Sequence, residues 1–124
     1  MTNQEAFNKV VTGLRAQGKP SVVMDIYGGN MCAYRNPNGL KCAIGMLIPD
    51  EQYTSCFEGG LSLSEVIESV PALQGIDSSL LSLLQRTHDN ASDNHEVNGF
   101  MEDLESGFQR VARIYNLTLP AKVS

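Results

Sequence analysis

Three cysteines (Cys32, Cys42, Cys56) and two histidines (His88, His95), with Asp89 and Asp93 beside the histidines, are the residues whose types could do covalent chemistry. A cysteine nucleophile needs a base within hydrogen-bond reach and a third group that orients the base. The residue types are present, but no cysteine stands in a local signature of a thiol enzyme. Cys42 lies in the apolar run 42–48, where a thiol packs as a small hydrophobe. Zinc asks for four ligands, and five Cys or His candidates exist. Nine residues separate Cys32 from Cys42 and six separate His88 from His95, unlike the short knuckles of structural sites. His88 is expected near the end of a helix, where the dipole favours a cation. No metal and no cofactor are expected.

The glycine pairs Gly28-Gly29 and Gly59-Gly60 lack the spacing of phosphate or dinucleotide loops and read as turns. Asp50-Glu51 follows Pro49 at a helix-opening turn, where acidic side chains complement the dipole. The acids of the C-terminal half form a more extended feature. Asp89, Asp93, Glu96, Glu102, Asp103 and Glu105 stand with no Lys or Arg between Arg86 and Arg110. One reading is a solvated helix face; the other is a contact surface for a basic protein, carried by Asp93, Glu96, Glu102, Asp103 and Glu105.

The elements that must position these residues follow from periodicity and caps. Thr2 and Glu5 have capping-box spacing, and Phe7, Val10, Val11 and Leu14 repeat as a helical stripe that Gly18 and Pro20 end. Residues 22–27 and 31–35 read as the two strands of a hairpin turning at Gly28-Gly29-Asn30. Asn36-Pro37-Asn38-Gly39 suits a type I turn. The run 42–48 is a buried strand or a short buried helix, and its Ala, Met and Leu content favours the helix. Ser62 and Glu65 cap a further helix that Pro71 ends. Asp77 caps one carrying Leu80, Leu81, Leu83 and Leu84, with Ile76 and Leu81 placed as a hydrophobic staple. Asp89 to Asn94 reads as a polar loop. A last helix is then expected from near Asp93, with Glu96 in its first turn, to about Tyr115. Gly107 inside that helix points to a close crossing by another element.

These elements predict an α+β fold: a small hairpin packed on four to five helices, helix-rich in its C-terminal half. The 124 residues suit one core spanning 1–124. The N-terminus lacks a signal-peptide apolar region and no run is long enough to span a membrane, so a reducing cytosol and free thiols are expected. The net charge of −5 is unevenly distributed. Residues 1–41 hold five bases and two acids, 42–109 one base and twelve acids, and 110–124 three bases and no acid. Such a field repels nucleic acid over most of the chain and favours a basic partner.

Two segments carry a resemblance. The first comprises Cys32-Ala33-Tyr34-Arg35, Gly39-Leu40-Lys41-Cys42-Ala43-Ile44-Gly45-Met46-Leu47-Ile48-Pro49-Asp50, Tyr53 and Glu58-Gly59. The second is Leu84-Gln85-Arg86-Thr87-His88-Asp89. Together they cover about a quarter of the chain and resemble a group of small uncharacterised proteins of phages, prophages and bacterial genomes. The resemblance brings no assigned activity. It singles out Tyr34, Arg35, Glu58, His88 and Asp89, which either converge on a pocket or pair with one another, with an Arg35–Glu58 or Arg35–Asp89 ion pair expected. A phage origin would imply a small, acidic, non-enzymatic inhibitor of a host defence or nucleic-acid enzyme. The competing expectation is a binding or hydrolytic domain using those five residues on a nucleotide-like or phosphorylated ligand.

Overall fold

Helix α1 (Asn3–Gln17) starts where the Thr2 hydroxyl accepts the Glu5 N–H and the Glu5 carboxylate accepts the Thr2 N–H, a reciprocal cap that stabilises by about 1 kcal/mol. It ends at Gly18, whose φ of 68° no β-carbon opposes. Phe7, Val10, Val11 and Leu14 are fully buried along one face. The structure, a computed structural model, describes residues 1–24, 30–94, 96 and 99–122. The expected end of the first strand and the Gly28-Gly29 turn, with His95 and Val97, lie outside the described residues.

Strands β1 (Val22–Met24) and β2 (Asn30–Cys32) pair antiparallel, with Val22 opposite Cys32 and Val23 opposite Met31. The second strand is shorter than the expected 31–35. Beyond Ala33 only an isolated bridge, Arg35 to Lys41, continues the pairing around the turn at 36–39. In that turn the Asn36 carbonyl accepts the Gly39 N–H at 3.0 Å. Residues 42–48 take the helical option as a single 3-10 turn, Gly45–Leu47, with Cys42, Ala43, Ile44 and Leu47 buried. Gly45 is required there, because a β-carbon would collide with the Tyr34 carbonyl oxygen. Two further 3-10 turns, Asp50–Gln52 and Ser55–Glu58, carry the chain past Phe57 into α2 (Leu63–Ser69), opened by the Ser62–Glu65 box.

Helix α3 (Ser78–Ser92) is capped by Asp77, whose carboxylate accepts the Ser79 N–H at 3.0 Å. It overrides the expected polar loop at Asp89–Asn94: residues 89–92 are helical because His88 and Ala91 continue the buried stripe of Leu80, Leu81 and Leu84. Burial of a helix face outweighs the polar composition of its exposed residues. Helix α4 (Gly99–Tyr115) correspondingly begins later than the expected Asp93. The Asn94 side chain accepts the Glu96 N–H at 3.0 Å instead, turning the chain before the helix.

Helices α3 and α4 form the most extensive element contact, and Gly107 explains how closely they approach: a β-carbon there would strike the Thr87 methyl. Phe108 meets Phe7 of α1 edge to face, with ring centroids 6.3 Å apart. One apolar cluster runs from α1 through Ile44 and Leu47 to α2, α3 and α4. The fold is α+β: among the described residues, a two-stranded antiparallel hairpin with four helices and a helix-rich C-terminal half. No helix among the described residues is long and apolar enough to cross a membrane.

Candidate functional site

His88 is fully buried in the interior of α3, not at the helix end where a cationic role was expected. Its Nε2 accepts the Ser21 backbone N–H at 3.1 Å, which places the ring proton on Nδ1, facing Asp89 Oδ1 at 3.0 Å. Ser21 is itself fully buried, and its hydroxyl donates to the Ala33 carbonyl at 2.6 Å. The imidazole therefore ties α3 to the base of the hairpin. A third group completes the linkage: Gln85 donates to Asp89 Oδ1 at 2.8 Å and accepts the Ile44 N–H at 3.1 Å.

Glu58 performs the same service from the other side. Its carboxylate accepts the backbone N–H groups of Tyr34 and Arg35, each at 3.0 Å, and the Tyr53 hydroxyl at 2.6 Å. These donors leave no place for the expected ion pair between the Arg35 side chain and Glu58. The guanidinium turns away from both Glu58 and Asp89, donating to the Ile48 carbonyl at 3.0 Å and Asp50 at 2.7 Å, and stacking 4.4 Å above the Tyr53 ring. Arg35 Nε is buried without a hydrogen-bond partner among the described residues.

Between the hairpin, the Ser55–Glu58 turn and α3 lies a cleft of about 530 Å³. Tyr34, Glu58 and Asp89 line it, with Cys32, Gln85 and Arg86. Of the five residues singled out in sequence, three share this cleft; His88 lies beneath it and Arg35 outside it. The two similar segments, far apart in sequence, are thus brought face to face. Met31 and Leu61, both exposed apolar side chains, stand on its wall with Phe57 and Leu63.

The chemistry of the cleft is that of acceptors held in place. Burial pushes the Asp89 carboxyl up, but hydrogen bonds from His88, Cys32 and Gln85 outweigh it and hold the group below the ordinary Asp range. Burial and the neighbouring Asp89 push the Cys32 thiol to about 12, and burial takes Cys42 to about 12 as well. Burial likewise takes the Tyr34 phenol to about 12. A thiol beside a carboxylate is the reverse of an activated nucleophile, which needs a cationic or electropositive neighbour. Both His88 nitrogens are engaged, so the ring cannot serve as a base toward Cys32.

Donor atoms of Cys32, His88 and Asp89 do lie within 4.8 Å of one another. The set does not suit a metal. Coordination at Nδ1 would move the ring hydrogen to Nε2, opposite the Ser21 N–H that now donates to it.

The acids from Asp93 to Glu105 have a different fate. Asp93, Glu96, Glu102 and Asp103 are exposed, but Glu105 is taken by Arg15 in a two-point pair at 2.6 and 2.9 Å. Glu102 lines a cleft of about 500 Å³ that also contains Arg15 and Lys122. Asp103 lines a separate groove of about 390 Å³ with Arg86 and Arg110. The acids that are adjacent in sequence are divided between two grooves, each with bases of its own.

Ser21, Gln85 and Tyr53 were not among the sequence candidates. Ser and Gln carry no pattern that distinguishes a buried hydrogen-bonding role from an exposed one; Tyr53 and Gln85 could have been found through their places in the resembling segments, Ser21 through neither. No protein-family model, curated protein or solved structure matches this chain.

Proposed function

We propose that this chain is a non-enzymatic binding protein whose recognition site is the cleft between the hairpin, residues 55–63 and α3, and whose partner is basic. The observation that carries this reading is the cleft itself: two carboxylates fixed in place by protein donors, walls of exposed apolar side chains, and thiols held protonated. Two carboxylates against the single Arg86 on the lining favour a cation and oppose a phosphate. That weighs against the nucleotide-like ligand, as does the engagement of the Arg35 guanidinium elsewhere. The net charge of −5 adds long-range attraction toward a basic surface. Proteins that bind nucleic acid carry such surfaces, and an inhibitor of a host nucleic-acid or defence enzyme is the role this chemistry serves best.

Affinity capture from host lysate with wild type, Leu61→Lys and a Glu102→Lys/Asp103→Lys variant tests the site. Leu61 stands exposed on the cleft wall, so a lysine there repels a basic partner without disturbing the core. The expected result is a captured protein lost with Leu61→Lys, retained with the α4 variant, and released by salt as charge contacts are screened. Retention with Leu61→Lys and loss with the α4 variant would move the site to α4 and overturn the reading.

A further inference from the structure

The cleft has walls and an end of different chemistry, and the way its carboxylates are occupied selects among cations. Glu58 Oε1 already accepts the Tyr34 N–H, and Oε2 accepts both the Arg35 N–H and the Tyr53 hydroxyl. Asp89 Oδ1 accepts from His88 and Gln85, leaving Oδ2 with at most the Cys32 thiol among the described residues. The Asp89 side chain is nonetheless 41% exposed. Neither carboxylate therefore offers both edges to a partner.

A guanidinium draws its advantage from two parallel N–H···O bonds to both oxygens of one carboxylate. That geometry is closed here. An ammonium is a compact charge whose three donors can each find a separate acceptor. Asp89 Oδ2 and the Tyr34 hydroxyl, which makes no hydrogen bond among the described residues, are two such acceptors on the lining of one cleft. The apolar wall of Met31, Phe57, Leu61 and Leu63 suits a flexible methylene stem, which buries its carbons while its head remains solvated or paired.

We infer that the cleft receives a lysine side chain of the basic partner, its stem against Met31 and Leu61 and its ammonium at Asp89. This rests on the proposed function and names the group that the cleft would recognise. Lysine is preferred over arginine at this position because no fork-shaped acceptor is open to the guanidinium.

The test is a chemical-shift titration of the full chain with three capped single residues: N-acetyl-lysine, N-acetyl-arginine and N-acetyl-norleucine methylamides. A fragment of this size binds at about millimolar concentration, so the titration runs to about 50 mM. The lysine compound is expected to shift the amides of Cys32, Leu61 and Asp89 saturably. The arginine compound should bind several-fold more weakly and the norleucine compound not detectably. Leu61→Ala should weaken lysine binding several-fold while leaving the remaining spectrum unchanged, which separates loss of the stem contact from loss of the fold.

Equal shifts from norleucine would show an apolar groove without charge recognition. Arginine binding as tightly as lysine, shifts confined to α4, or no saturable shift at all would each overturn the inference. The larger reading fails separately: capture of a basic partner sensitive to Leu61→Lys, without lysine recognition, would leave the site in place and remove only its proposed occupant.

Discussion

Glu58 and Asp89 stand at the cleft, and Glu102, Asp103 and Glu105 stand on α4. All five come from the acidic middle of the chain, yet their surroundings give them different work. At the cleft each carboxylate collects donors from elsewhere in the fold: backbone N–H groups and a tyrosine at Glu58, a histidine, a glutamine and a thiol at Asp89. On α4 the carboxylates point into solvent or into grooves supplied with arginine and lysine. Density of charge along the sequence is therefore a poor guide to where the fold fixes a carboxylate in place. A carboxylate becomes part of a site when the fold brings fixed donors to it.

If the cleft is a site of held, protonated groups, its thiols must be inert. With Cys32 and Cys42 at about 12, their thiolate fraction at neutral pH lies about a thousandfold below that of an ordinary cysteine. A thiol probe should label exposed Cys56 first and reach the other two only slowly, all three reacting together after denaturation. Labelling of Cys32 as fast as Cys56, located by peptide mass, would revive the nucleophile.

The next largest effect separates the two regions by their glycines. Gly45→Ala should destabilise by about 3 kcal/mol or more, because the added carbon meets the Tyr34 carbonyl and backbone cannot rotate away. Gly107→Ala meets a side chain rather than backbone, the Thr87 methyl, and helix propensity returns about 1 kcal/mol, so it should destabilise by less than Gly45→Ala. Denaturant midpoints at unchanged slope give both numbers. Equal costs would mean that the α3–α4 crossing is as rigid as the hairpin edge.

Removing the carboxylate at the hairpin comes next. Glu58→Ala leaves two backbone N–H groups and the Tyr53 hydroxyl without their acceptor, a loss of about 2–4 kcal/mol. Glu58→Gln, which keeps one carbonyl, should lose about half as much in the same denaturation measurement. A neutral Glu58→Ala would show that water replaces the carboxylate and that the cleft is not built around it.

Asp89 supplies a pH dependence. Its folded-state pKa is depressed, so the folded form binds its proton less readily than the unfolded chain. The resulting stability is present above the ordinary Asp value and is lost as pH falls through the lowered folded value. Unfolding midpoints measured from neutral into acid pH should fall more steeply for wild type than for Asp89→Asn. Parallel curves would place the acid-sensitive group elsewhere.

The smallest effects belong to α4. Glu102→Gln and Asp103→Asn should each change stability by no more than about 0.5 kcal/mol, as exposed charges do. Glu105→Gln, which opens the part-buried pair with Arg15, should exceed both at about 1–2 kcal/mol. Comparable values for all three would mean that Glu105 is as solvated as its neighbours.

Much of the local structure was legible in sequence because it depends on neighbours within a few residues. The boxes at Thr2–Glu5 and Ser62–Glu65, the Asp77 cap and the Gly18 stop stand where their spacing put them. Gly107 at a close crossing was also readable, since glycine inside a strong amphipathic stripe needs a reason. The α3–α4 boundary was misread because Asp89, Asn90 and Ser92 resemble a loop locally, while burial of His88 and Ala91 against distant residues keeps them helical.

Sequence by itself determined the α+β class, the helical stripes and the acidic balance, since these rest on periodicity, caps and composition. Only the tertiary structure decided which polar groups meet. It carried Arg35 away from Glu58 to Asp50 and Tyr53, placed the Ser21 N–H against His88, and set Tyr34 and Asp89 on one cleft. Those pairings join residues 15 to 67 positions apart. None follows from local spacing, because each needs elements distant in sequence to be packed together first, and that happens only once the core has formed.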